Sequence, residues 1–339
     1  MRRRRLIALL GAGALAGCVG QLREGADGPT DSTTPGGTDD GTTTGTTTDG
    51  TTTGTTTDGT TTDEPPADDP VPVEQSRFEG EPCPAFVDDT TCYHALDTGV
   101  HETAYVVPGD EVLARPSDST TFTLYNGGDE SVGMNPFAWT VAKRVDDGWA
   151  YVAPHVVPQP YTHVEPGTRF TWQFGIGDAD VEEDAMGSRA RVEHLGPGVY
   201  AFAHAGALAL FEVTGDTLAL DAPDVAATER DGDVLTVRTA KAEGADSPET
   251  LVLERASPDS TPATLVTEQA IQSYALRNGL PYLTETDVST VRVETDGVGM
   301  VQTILAAAYR DPTTENEAPP KAERVYDYAG TVFRATVED

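Results

Sequence analysis

The chain has 339 residues and a formal net charge of −34, from 56 acidic against 22 basic side chains. A surface this uniformly negative repels phosphate backbones, which excludes nucleic acid as a partner. The length suffices for two modest cores.

Four arginines, Arg2 to Arg5, precede an apolar run over residues 6–16 that ends in Leu15-Ala16-Gly17-Cys18. That run is too short for a membrane-crossing helix, which needs about 20 residues, and it closes on small residues as cleavable signals do. Residues 1–17 therefore read as an export signal ending in a lipobox, with Cys18 the lipidated first residue of the mature chain. The consecutive arginines resemble a twin-arginine signal, with an ordinary Sec-type signal as the alternative. Either route implies a protein anchored by lipid to the outer face of the cell membrane, with the membrane as its first partner.

Residues 18–75 are dominated by Thr, Gly, Asp and Pro, with near-repeats such as Thr46-Thr47-Thr48-Asp49-Gly50 and Thr55-Thr56-Thr57-Asp58-Gly59. A stretch with so little to bury is expected to be a disordered tether, whose low-complexity part of roughly 45 residues would span on the order of 40 Å. Loss of Arg2 to Arg5 with the signal lowers the charge from −34 by four, to −38, and lysine occurs only at Lys143, Lys241 and Lys321. Such one-signed charge is relieved by salt. The composition resembles that of halophilic, haloarchaeal lipoproteins, an ordinary acidic secreted protein being the alternative.

Residues 76–215 carry short strand signals closed by turns. Phe122 and Leu124 alternate, Phe137, Trp139, Val141 and Val145 share one face, and Phe170, Trp172 and Phe174 share another. Asn126-Gly127-Gly128-Asp129, Glu165-Pro166-Gly167 and Gly196-Pro197-Gly198 punctuate them, which predicts an antiparallel sandwich. Residues 122–213, with Phe122-Thr123-Leu124-Tyr125-Asn126, Asp147-Gly148-Trp149, Glu165-Pro166-Gly167-Thr168 and Gly196-Pro197-Gly198-Val199-Tyr200, resemble bacterial and archaeal immunoglobulin-like domains related to the BsuPI proteinase-inhibitor fold. The resemblance implies the fold, and proteinase inhibition as one possible activity; the antibody-type Cys…Trp…Cys pattern is absent.

Residues 216–339 read as a smaller α+β domain. Strands are expected over 234–239, 250–254 and 288–294, a helix over 264–278 ended by Gly279 and Pro281, and a final strand over 326–337; residues 300–309 fit either state. The fold class is thus mainly β: an immunoglobulin-like sandwich followed by an α+β domain.

Cys83 and Cys92, an even pair in an exported chain, are expected to form a disulfide. The six histidines, His94, His101, His155, His163, His194 and His204, lack the i, i+2 or i, i+4 spacing of a metal pair and read as surface or strand-edge residues. Asp178, Asp180 and Glu182 open like a calcium loop, but Glu183 stands where glycine is required and Arg189 where the twelfth-position acid belongs. No catalytic residue, cofactor site or metal site is nominated. Trp149 and Tyr151, beside a hairpin tip, are the expected contact patch. The sequence reading is a non-enzymatic binding or assembly module with an unidentified protein or small-molecule partner; the alternatives are a proteinase inhibitor, or a metal or small-molecule site or enzyme at the domain junction.

Overall fold

A computed structural model describes residues 69–339 apart from 85, 87–88, 147, 184, 258–260, 311, 314–319 and 339. The signal, Cys18 and nearly all of the expected tether lie outside the described residues.

Twelve strands build the sandwich: β1 (Thr91–Cys92), β2 (Ala104–Pro108), β3 (Val112–Ala114), β4 (Ser119–Asn126), β5 (Val132–Met134), β6 (Thr140–Val145), β7 (Gly148–Ala153), β8 (Thr162–Val164), β9 (Arg169–Ile176), β10 (Arg189–Val192), β11 (Gly198–His204) and β12 (Ala207–Thr214). One sheet runs β10-β9-β4-β2, with β10 parallel to β9, and the other β1-β12-β11-β6-β7, with β3 also lying parallel to β12; the remaining two strands, β5 and β8, pair as a separate antiparallel ribbon. The hairpin-linked β11 and β12 beside β6 and β7, facing β4 and β9, give the immunoglobulin-like arrangement.

The core explains why this fold needs no inter-sheet disulfide. Phe122 on β4 and Phe202 on β11 stack across the sheets with centroids 4.1 Å apart and planes 1° from parallel. Both are fully buried, and they occupy the two strands that the antibody-type disulfide joins. Trp139, just before β6, stacks on Phe202 at 6.1 Å, as the antibody-type tryptophan packs on the disulfide. Tyr200, two residues before Phe202, donates its hydroxyl to the Gly196 carbonyl at 2.7 Å, which is a tyrosine corner.

Seven further strands form one sheet: β13 (Val225–Asp231), β14 (Val234–Thr239), β15 (Glu249–Arg255), β16 (Ala263–Thr264), β17 (Thr290–Thr295), β18 (Tyr326–Tyr328) and β19 (Thr331–Glu338), in the order β13-β14-β17-β15-β19-β18-β16. The helices are α1 (Thr267–Ala270), α2 (Tyr274–Glu285) and α3 (Gly299–Ala307).

Three local expectations are corrected. The helix expected over 264–278 is split: α1 is a single turn, and Ser273 caps a new helix by accepting the Leu276 N–H at 3.2 Å. Gly279 and Pro281 lie inside α2 rather than ending it. Gly279 is there for space: a Cβ would sit 2.5 Å from Val293 Cγ2 and 3.0 Å from Leu253 Cδ1, so glycine lets the helix lie close on β17 and β15. Tertiary packing thus overrides the stop signal. The final strand is a hairpin, because Ala329 (φ 52°) and Gly330 (φ 81°) make a two-residue turn between β18 and β19. Residues 300–309, which fit either state, are mostly in α3.

Candidate junction site

The helical part of the second sheet docks on β7 and the tyrosine corner through polar side chains. Gln269, fully buried, donates to the Tyr151 carbonyl at 2.7 Å and accepts the Val266 N–H at 3.0 Å. Gln272 donates to the Val152 carbonyl at 3.1 Å. Glu268, 1% exposed, enters the tyrosine corner itself: its Oε1 accepts from Lys143 Nζ at 2.6 Å, the Gly196 N–H at 2.9 Å and the Tyr200 hydroxyl at 2.9 Å. Tyr200 has one hydroxyl proton facing two acceptors, the Gly196 carbonyl and Glu268. Burial, followed by the Glu268 charge, drives the Tyr200 pKa far up, so it stays protonated. Gly196 has no side chain for a reason: a Cβ there would sit 2.5 Å from Glu268 Oε1.

Two pockets lie beside this docking surface, and both have Tyr151 and Arg310 in their walls. The outer chamber, about 470 Å³, is lined by Pro154, His155, Gln302, Ala306, Lys321 and Arg324 as well as Tyr151 and Arg310. Arg310 lies over the Tyr151 ring at 4.4 Å, and Arg324 over Tyr309 at 5.8 Å. No described carboxylate lines this chamber, and neither Arg310 nor Lys321 makes an ion pair among the described residues. The nearby Glu249 is engaged by the Val298 N–H at 2.8 Å, before α3. His155 lies beside these cations; burial first, then the Arg310 charge, lowers its pKa and keeps it neutral near pH 7.

The inner chamber, about 350 Å³, is bounded by Phe86, Thr90, Thr140, His204, the Ala205–Gly206 turn and Arg310. The turn joins β11 to β12 with both residues at positive φ, 49° for Ala205 and 79° for Gly206. His204 is 6% exposed, and its ring packs on Trp172 with centroids 4.9 Å apart, on the core side of β11. Burial lowers its pKa to about 4, against a hydrogen bond to the Ala138 carbonyl that raises it, so the ring is neutral near pH 7. The Cys83–Cys92 disulfide is present, and Cys92 pairs alongside Leu208 of β12. Phe86 and Thr90 lie within its loop, so the bridge holds this wall of the chamber against the sandwich.

The expected contact patch is corrected. Tyr151 is 4% exposed, because Gln269 and Arg310 cover it, and Trp149 is half-buried with its ring edge-on to Phe86 at 5.7 Å. The large exposed apolar side chains are instead Val156, Tyr161 and Met186, with Val100, Val112 and Met300 less so. His94 and His204 are buried rather than on the surface, His101, His155 and His194 are partly buried, and His163 is exposed. Among the described residues no three His, Cys, Asp or Glu side chains converge as metal ligands. The sequence missed Arg310, Lys321 and Arg324; the scarcity of lysine was the available signal. Of the three lysines, Lys143 holds Glu268, Lys241 sits over the Tyr274 ring at 4.2 Å and Lys321 lines the cleft.

No family model matches the chain, and no curated protein does. Among solved structures, the Pseudomonas fluorescens alkylpurine DNA glycosylase AlkC bound to DNA containing an abasic site analog is similar over 34% of this chain and 32% of its own, at 13% identity and a TM-score of 0.20. The chain thus spans about a third of that protein's length, and a likeness this slight carries no argument.

Proposed function

We propose that this chain is a membrane-tethered, non-enzymatic binding protein that takes a small anion in the cleft between the sandwich and the second sheet. The observation that carries the reading is the lining of the outer chamber: Arg310 and Lys321, neither of which makes an ion pair among the described residues, line it together, in a chain whose formal charge is −34. Cations held together repel one another, and a bound anion relieves that repulsion. Guanidinium groups resting on aromatic rings are also partly fixed in place, which reduces the ordering cost of binding. The lipobox at Cys18 and the Thr-rich stretch after it support an anchored receptor at the outer face of the membrane. The clamp at Glu268 supports a preformed cleft, because it fixes both walls before any ligand arrives.

Isothermal titration calorimetry of the mature chain in molar KCl, with inorganic phosphate and a series of small carboxylates, tests the proposal. At least one anion should bind with one-to-one stoichiometry, and Lys321→Glu should weaken it at least about tenfold, while Lys241→Glu leaves it unchanged. Absence of binding by every anion, or equal affinity in Lys321→Glu, overturns it.

A further inference from the structure

The second sheet leaves a strand edge open beside the cations. β18 pairs with β19 only through Thr331, Val332 and Phe333, whereas β15 follows β19 on to Glu338. Tyr328 and Thr331 flank a two-residue turn, so residues 331 and 333 direct their N–H and C=O groups toward β18. Ala335 and Val337 share that phase and direct theirs past the end of β18. The alternate residues face β15, as the 2.9 Å bond from the Ala256 N–H to the Val332 carbonyl shows. Among the described strands none pairs with Ala335 or Val337 on the open side. Strand edges are commonly blunted by charge or by a bulge. β13, at one margin of the same sheet, has both: Glu229, Arg230 and Asp231, and a register shift between Val225 and Ala227. Ala335, Thr336 and Val337 carry no charge, and their register with β15 is regular.

This open stretch lines a groove of about 500 Å³ together with Val298, Gly299 and Gln302 at the start of α3. Lys321 and Arg324 line the groove as well as the outer chamber. Charge sets the direction in which an added strand would run. Lys321 precedes β18, at the Phe333 end of the opening, and Glu249 begins β15, beyond Glu338 at the other end. A strand antiparallel to β19 would pass Glu249 first and end its chain at Lys321, which makes no ion pair among the described residues. A parallel strand would bring its terminal carboxylate to Glu249, which repels it. Resting on the anion reading above, we infer that the anion is the terminal carboxylate of an extended peptide, which adds to the open edge of β19 as an antiparallel strand. Ladder bonds to Ala335 and Val337 hold its backbone, and Lys321 holds its C-terminus.

The test compares four probes on the mature chain in molar KCl: the peptide acetyl-Thr-Val-Thr-Val with a free carboxylate, the same peptide ended as an amide, acetate, and inorganic phosphate. The free-carboxylate peptide should bind at least about tenfold more tightly than the amide or acetate. Lys321→Glu should bring it down to the level of the amide. Val337→Pro removes the N–H that faces the groove and none that faces β15, so it should weaken the peptide about tenfold while acetate affinity stays within about twofold. Since proline can disturb the strand, amide hydrogen exchange on the unmodified protein stands beside it: the peptide should slow exchange at Ala335 and Val337, and phosphate should not. A peptide no tighter than acetate, with exchange at both amides unchanged, overturns this inference and leaves the anion site standing. An amide peptide that binds as well as the carboxylate, or protection of both amides that rises with protein concentration in the absence of peptide and so marks a second copy on the edge, overturns it too. Failure of all four probes to bind overturns both readings.

Discussion

Lys143→Met removes the ion pair among the contacts that join the two halves of the described structure. Glu268 is 1% exposed and Lys143 is 20% exposed, so the pair is largely out of water. All three donors reach Oε1, and Oε2 has no partner, which leaves Lys143 as the one cation on this carboxylate. Removing one member of a buried pair costs about 3–5 kcal/mol, because the other is left charged and unpaired. For a chain of this size each kcal/mol lowers Tm by roughly 2–4 °C, so the variant should melt about 6–20 °C lower. Differential scanning calorimetry in molar KCl measures this. Glu268→Gln in the same background should recover part of the loss, since the neutral amide still accepts from Gly196 and Tyr200. The Arg292–Glu338 pair is the control: its side chains are 37% and 47% exposed, and Arg292→Gln should cost no more than about 1 kcal/mol. If Lys143→Met costs no more than the control and the double variant shows no coupling, Glu268 is not the clamp.

Gly196→Ala should destabilise by about 1–3 kcal/mol, since its Cβ cannot coexist with Glu268 Oε1 at 2.5 Å; adding Glu268→Ala should cancel most of the effect in a thermal cycle. Phe122→Ala should cost about 3–5 kcal/mol in chemical denaturation, as it removes one half of the inter-sheet stack. The His204 pKa is lowered to about 4 from an ordinary 6.5, so the unfolded state binds more protons between those values. The resulting stability is fully present above pH 6.5 and is lost as pH falls toward 4, by about 3 kcal/mol, and His204→Phe should flatten that part of a stability-versus-pH curve. Reducing the Cys83–Cys92 bridge should cost about 2–3 kcal/mol from its short loop, read by chemical denaturation with and without reductant.

The sandwich was legible because turn residues and alternating aromatics are local signals. Phe122, Trp172 and Phe174 fall on buried faces as their period requires. The antibody-like core was not, since phenylalanines occupy the two disulfide strands and only the packing of one sheet on the other brings Phe122 of β4 and Phe202 of β11 together. Gly279 misled the reading for a similar reason: its role is set by Val293 on a strand fourteen residues away, not by its neighbours. The junction site was hidden most deeply. Tyr151 belongs to a hairpin of the sandwich and Arg310 follows α3, 159 positions later in the numbering, and nothing local to either marks the pairing. Tyr151 read as an exposed hairpin residue because the surface that covers it comes from the other half of the chain.

The most direct measurement is a crystal structure of the mature chain grown with 4-bromobenzoate, using the anomalous signal of bromine to place the molecule without bias. The carboxylate should lie within hydrogen-bonding distance of Arg310 or Lys321, in the pocket that these two residues line. A bromine peak elsewhere on the surface with an empty junction, or no peak at saturating concentration, would contradict an anion-binding cleft.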